Sequence, residues 1–188
     1  MRLPKVLSEY WSASIISGLI IRSRLSRRKK REAKGENLLK IAIANRQIRH
    51  SVDRKTLRKM AVKILNVLGY PDSELSIAVV GDRSIRRLNR VYLGRDNSTN
   101  VISFSMREGP FAEMNPQLLG DVVISADTCS RESLDAGISF TVRLHFLLLH
   151  GILHLAGYDH ERSGEVEARR MEDKEREMLS LLEMEGDV

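Results

Sequence analysis

His150-Gly151-Ile152-Leu153-His154-Leu155-Ala156-Gly157-Tyr158-Asp159-His160 is the stretch on which the reading of this chain turns. It holds three of the five histidines within eleven residues. His150 and His154 are four apart, about one helical turn, so both imidazoles leave the same helix face. Gly157 stands where such a helix would end, because glycine takes a left-handed C-cap without a Cβ clash. The chain can then fold back and bring His160 toward the first two. Three neutral imidazoles with a fourth position left to water form the ligand set of a catalytic zinc site. The bland reading, three unrelated core or surface histidines, suits a lone histidine better than three at this spacing around a glycine hinge. His145 is about 140° around the helix from His150 and is expected to face away from the metal.

Working outward, Phe140 to Ala156 is apolar nearly all round, the pattern of a buried helix. It is too short and too polar to span a bilayer, which takes about 20 apolar residues. Upstream, Leu38 to Ala44 reads as a strand, with Leu39, Ile41 and Ile43 alternating. Asp53 is the expected N-cap of a helix to about Leu68, with Leu57, Met60, Ala61, Ile64 and Leu68 at helical spacing. Ser76 to Val80 and Asn100 to Phe104 are further strands. Between them Asp82 is expected to cap a helix carrying Ile85, Leu88, Val91 and Tyr92 and ending near Gly94. Residues 107–117 read as a loop from their Gly and Pro content. Leu118 to Ser125 is a fourth strand, and Ala126 to Ala136 a short helix broken by Gly137. Ser163 is suited to cap a last helix to about Met184, with Glu165 and Glu167 at its positive end and a heavily charged, solvated face. Strands and helices mix without strict alternation. The expected fold is α+β: a four-stranded mixed sheet packed with several helices, the zinc site lying on a buried helix and its following turn.

The net charge of +6 over 188 residues is unevenly placed. Residues 1–37 carry ten Lys/Arg and three Asp/Glu, so the remainder is close to neutral and the basic balance does not by itself mark the domain as a nucleic-acid binder. The expected organisation is therefore a basic, poorly ordered extension over 1–37 and a single domain over 38–188. Trp11 to Ile21 is about half the length of a span, and its strong charge follows the apolar run, the reverse of a secretory signal. A basic tail touching RNA and a short membrane-surface helix are the alternatives for this segment, and translation starting near Asn37 also fits. The one cysteine, Cys129, excludes an internal disulfide framework and suits a reducing cytoplasm. With no histidine or cysteine at ligand spacing, it reads as a buried small hydrophobe.

Zinc lowers the pKa of a bound water toward about 7 and polarises carbonyl or phosphoryl oxygens. His150, His154, Gly157 and His160 fall on the ligand and glycine positions of the metzincin protease pattern. The position of the protease's general-base glutamate, however, is Gly151. A helical glycine costs about 1 kcal/mol relative to alanine, which suggests that something needs the room beside His150, such as a bulky phosphodiester.

The histidine stretch, His-Gly-x-Leu-His-Leu-x-Gly-Tyr-Asp-His, resembles throughout the signature of the YbeY family of single-strand-specific metal-dependent endoribonucleases. Tyr92-Leu-Gly-Arg-Asp-Asn-Ser-Thr99-Asn100-Val-Ile-Ser103-Phe104 is similar to a second block of that family, and Leu119-Gly120-Asp121 to a third. Together these cover about residues 38–185. The resemblance implies one zinc ion per chain on His150, His154 and His160, and a cytoplasmic role in rRNA processing. That role is maturation of the small-subunit rRNA 3′ end and ribosome quality control, with rRNA and the small ribosomal subunit as partners and no stable membrane insertion. Arg95, Asn100 and Ser103 become the substrate-side candidates. Asp159 either holds a ligand imidazole in its tautomer or fixes the turn. The family often has arginine directly after the tyrosine of the second block; here that residue is Leu93, and Arg95 is the candidate replacement. Ser98 stands where proline is usual. No separate general base is identified.

Basic residues cluster at Arg46, Arg49, Arg54, Lys55, Arg58, Lys59 and Lys63, and again at Arg83, Arg86, Arg87, Arg90 and Arg95. These are either phosphate-tracking surfaces or ordinary solvated helix faces. Phe104 and Tyr158 are candidates for base stacking that also suit core packing. Two other functions share the motif: a non-enzymatic ribosome-assembly factor with a structural zinc, closed by a fourth protein ligand, and a metzincin-like peptidase.

Overall fold

The computed structural model describes residues 40–107, 117–158 and 164–184. The extension 1–37, most of the loop 107–117, and Asp159, His160 and Ser163 lie outside these described residues. Among the described residues, four strands and five helices follow in order: β1 Lys40–Asn45, α1 Arg54–Val67, β2 Glu74–Val80, α2 Asp82–Leu93, β3 Val101–Ser105, β4 Leu118–Ser125, α3 Ala126–Asp135, α4 Phe140–Leu155 and α5 Gly164–Met184. The sheet order is β1-β2-β4-β3. β1, β2 and β4 are parallel, and β3 runs antiparallel along β4. The expected α+β class and four-stranded mixed sheet are what the chain forms.

Both faces of the sheet are covered, and the period of two along each strand separates them. On one face Ile77, Val79, Val122 and Ile124 join α1 and α4 in one core with Leu57, Ile64, Leu147, Leu148 and Ile152. On the other face Ala78, Val80, Val123, Ile102 and Phe104 are buried, and α2 covers them with Ile85. Tyr92 of α2 meets Phe104 edge-on at 5.3 Å between ring centroids. Phe104 therefore packs in this second core layer and lies across the sheet from α4. Gly120 has φ 146°, and a Cβ there would run into the Phe104 carbonyl oxygen, so the Leu-Gly-Asp segment of β4 admits no side chain at that point.

Local signals account for most element ends. The Asp53 carboxylate accepts from the Lys55 N–H at 2.8 Å and from the Thr56 hydroxyl at 2.6 Å, capping α1 as expected. Ser125 and Ser139 cap α3 and α4 in the same way. α2 departs from expectation. Its N-cap is Gly81, and Asp82 is the first helical residue. The Asp82 carboxylate instead ties two helix starts together, accepting from Ser125 Oγ at 2.5 Å and Thr128 Oγ1 at 2.7 Å, and pairing with Arg131 at 2.9 Å. Val91, expected on the apolar stripe of α2, is 57% exposed. The buried polar residue there is Asn89, whose amide donates to the Asn97 carbonyl at 2.8 Å and holds the loop into β3. Cys129 is fully buried as expected, and burial pushes its thiol pKa up to about 12.

α4 is the central helix. Seven of its aliphatic side chains, Leu144, Leu147, Leu148, Leu149, Ile152, Leu153 and Leu155, are no more than 3% exposed. Each contributes roughly 1.5–3 kcal/mol of gross transfer free energy. His145 is buried among them, with its Nδ1 lacking a hydrogen-bond partner among the described residues. Burial holds its pKa below the ordinary 6.5. A histidine kept neutral by folding contributes stability above its unfolded pKa, and that stability is lost as pH falls below about 6.5, where the unfolded chain takes up the proton. The expected outcome is a melting temperature that drops between pH 7.5 and 5.5, with a visibly smaller drop in His145→Leu. An identical pH dependence in the two proteins, followed by circular dichroism, would contradict this.

Candidate metal centre

Between residues 143 and 154 of α4 only Arg143, Phe146, His150 and His154 are less than fully buried. Their spacings of three, four and four trace one stripe along a helix. The stripe faces out while the other residues between 143 and 154 are sealed into the core. His145 is not on it, in line with its expected direction. Burial of the other faces leaves the two imidazoles little choice of orientation.

His150 Nε2 and His154 Nε2 stand 3.2 Å apart. Two nitrogens bound at roughly 2.0–2.1 Å to one tetrahedral ion would be about 3.3–3.4 Å apart. The pair therefore fits a shared zinc ion as it stands. His150 is also held from behind. Its Nδ1 lies 2.6 Å from Glu175 Oε1 on α5. A carboxylate only accepts, so Nδ1 carries the hydrogen and Nε2 is the nitrogen left to bind a metal. Phe146 stacks beside the ring of His150 at 6.3 Å between centroids. Among the described residues no group of three His, Cys, Asp or Glu side chains converges as a metal site. The expected third ligand, His160, and the expected supporting carboxylate, Asp159, lie outside those residues.

Gly151 has a different reason from the one expected. A Cβ there would come within 2.6 Å of Val122 Cγ1, 3.1 Å of Ser103 Oγ and 3.2 Å of Val101 Cγ2. The room beside His150 is thus taken by the sheet, not by substrate. Glycine lets α4 lie directly on β3 and β4. A side chain at 151 would point into the sheet, so a glutamate there could not serve as a protease's base without moving the helix.

The substrate-side candidates are spread out. Ser103 Oγ donates to the Gly151 carbonyl at 2.9 Å and so joins β3 to α4. The Asn100 amide donates to Glu132 Oε1 at 2.9 Å, and its oxygen accepts from the Val101 N–H at 2.8 Å. Glu132 in turn holds Arg143 at 2.8 Å, linking Asn100 to the stripe of α4. Arg95 is exposed in the loop after α2, its backbone N–H donating to the Asn89 carbonyl at 3.3 Å. Leu93 is 41% exposed. Tyr158 is half-buried, with the Arg170 guanidinium 5.0 Å over its ring. A shallow depression of about 590 Å³ beside it is lined by Arg169, Arg170 and Lys174, with Asp173 and Glu177. The two basic clusters lie on opposite faces of the sheet, α1 on the side of α4 and α2 on the other. Arg54, Lys55, Arg58 and Lys59 are exposed on α1, as are Arg83, Arg86, Arg87 and Arg90 on α2. Asp96 pairs with Arg86 at 2.9 Å and Arg90 at 4.0 Å, which leaves that cluster less positive than its arginines alone suggest.

Glu175 was not foreseen from the sequence, where the charge of α5 read as a solvated face. A usable signal exists: Met171 and Met178 are apolar positions of α5 seven apart, 1% and 0% exposed, and Glu175 falls between them on the same seam.

Gly151→Ala is expected to destabilise the fold by about 1–3 kcal/mol, the usual cost of overpacking a tight core site. Urea unfolding checks this; a midpoint equal to that of the wild type would show that the Val122 contact can relax.

The model of the family Endoribonuclease YbeY matches residues 42–183. Proteins named Endoribonuclease YbeY from Geobacter metallireducens and Geobacter sulfurreducens are each 64% identical over 148 residues, 79% of this chain and 99% of theirs. The Aquifex aeolicus protein of that name is 37% identical over 149 residues, 78% of this chain and 93% of its own. The solution structure of a Thermotoga maritima protein shares the fold at 20% identity, with a TM-score of 0.51 over 78% of this chain and 94% of that one. This chain belongs to the YbeY endoribonuclease family.

Proposed function

We propose that this protein is a zinc-dependent, single-strand-specific endoribonuclease. In this reading it acts in the cytoplasm on rRNA of the small ribosomal subunit, in 3′-end maturation and in ribosome quality control. The observation that carries the reading is the convergence of His150 Nε2 and His154 Nε2 on an outward-facing stripe of α4, in a chain of this family. One zinc ion per chain would be held by His150, His154 and, beyond the described residues, His160. When bound, zinc supplies Lewis acidity toward a phosphodiester and a water acidic enough to ionise near neutral pH.

The chain's own groups do the rest. Buried α4 and the Glu175 carboxylate hold the donor nitrogens in place. Arg143 on the stripe, and Arg169, Arg170 and Lys174 in the depression next to Tyr158, are cations that phosphates flanking the cut would draw from their carboxylate partners Glu132, Glu165, Glu167 and Glu177. Exposed cations on α1 and α2 support a partner as long and polyanionic as rRNA, and contacts of that kind make binding weaken steeply with salt. No side chain among the described residues is assigned as a separate base. No single helix among them is long and apolar enough to cross a membrane.

Purified zinc-loaded protein should cut single-stranded RNA and spare duplex RNA of the same sequence. His154→Ala should lose cutting while keeping the wild-type circular dichroism spectrum. Equal cutting by the two proteins would overturn the metal-dependent reading.

A further inference from the structure

We propose that Glu175 is a positioning residue for the metal centre, fixing the tautomer and rotation of His150 from the C-terminal helix. The proposal rests on the zinc reading above and deepens it. Most charged residues of α5 pair along the helix itself, as Arg169 does with Glu165, Arg170 with Glu167, Lys174 with Glu177 and Arg176 with Asp173. Glu175 instead reaches across to another helix, 2.6 Å from His150 Nδ1, with its side chain only 15% exposed. Its place on the seam between Met171 and Met178, both buried, is set by the docking of α5 on the core. The carboxylate therefore arrives behind the imidazole as a result of core packing.

Three consequences follow from that placement. The carboxylate accepts the Nδ1 hydrogen, so the tautomer with its hydrogen on Nδ1 and its lone pair on Nε2 is selected. The hydrogen bond stops the ring from turning about its bond to Cβ, with Phe146 beside it. The negative charge leaves more electron density on Nε2, making it a better donor to a cation. α5 is thereby part of the metal centre although it supplies none of the expected ligands.

The test uses the full chain and zinc alone. Zinc affinity is measured by competition with a chromogenic chelator for wild type, Glu175→Ala, Glu175→Gln and His154→Ala. The His150 tautomer is read in the metal-free protein from long-range ¹⁵N–¹H correlations of the imidazoles. Glu175→Ala should weaken zinc binding about 10–100-fold, the usual effect of removing such a partner, and should let His150 sample both tautomers. Glu175→Gln should weaken it less, because the amide oxygen still accepts from Nδ1–H but carries no charge. Zinc affinity within about threefold of wild type in Glu175→Ala, with the tautomer unchanged, overturns the proposal. If Glu175→Ala does not fold, Glu175→Gln decides: weaker zinc binding supports the role and unchanged binding overturns it. Loss of binding in His154→Ala with no change in either Glu175 variant removes this role alone. A wild type that binds no zinc removes the metal reading and this role together.

Discussion

The contact on which the rest of the structure depends is that of Gly151 with Val122, where α4 lies on the sheet with no side chain between. Ser103 reinforces it by donating to the Gly151 carbonyl at 2.9 Å. With α4 held at that depth, its leucines fill the core on one side and the stripe of Arg143, Phe146, His150 and His154 is turned outward. Two imidazoles on neighbouring turns then have their Nε2 atoms 3.2 Å apart. The pairing of His150 with His154 is in this sense a product of helix-on-sheet packing. These two donors need no loop to bring them together.

The same sheet separates two kinds of surface. α1, α4 and α5 are on the side of the histidines, where the open stripe of α4 is short and mixed in character. α2 is on the opposite side, held by Ile85, by Asn89 and by the edge-on contact of Tyr92 with Phe104. Phe104 thus serves the back layer of the core. The Asn100–Glu132–Arg143 chain of hydrogen bonds and ion pairs runs from the start of β3 to the front stripe. It connects the second sequence block to the histidine helix through half-buried side chains.

Much of this was legible in the sequence because the deciding signals are local. The four-residue spacing of His150 and His154, the apolar wrap of α4 and the Asp53 cap each depend on one helix, and each behaves as read. Long-range features were not legible. Gly151 read as room for substrate, since a sequence does not show which strand lies beneath a helix; the occupant is Val122. Asp82 read as a cap because its position before a helix suits one, yet its carboxylate is drawn to Ser125, Thr128 and Arg131 from elsewhere in the chain. Glu175 was hidden among the like-charged residues of α5, and only its place between Met171 and Met178 distinguishes it. The strand order β1-β2-β4-β3 also depends on pairings far apart in sequence.

The most direct measurement is a crystal structure of the zinc-loaded full chain, with the metal located by anomalous scattering at the zinc edge. The expected result is one zinc ion per chain, roughly 2.0–2.1 Å from His150 Nε2 and His154 Nε2, with His160 as third ligand and a water in the fourth position. Glu175 would remain on His150 Nδ1, outside the coordination sphere. A zinc ion closed by four protein ligands, or bound away from the α4 stripe, would contradict the proposed catalytic site.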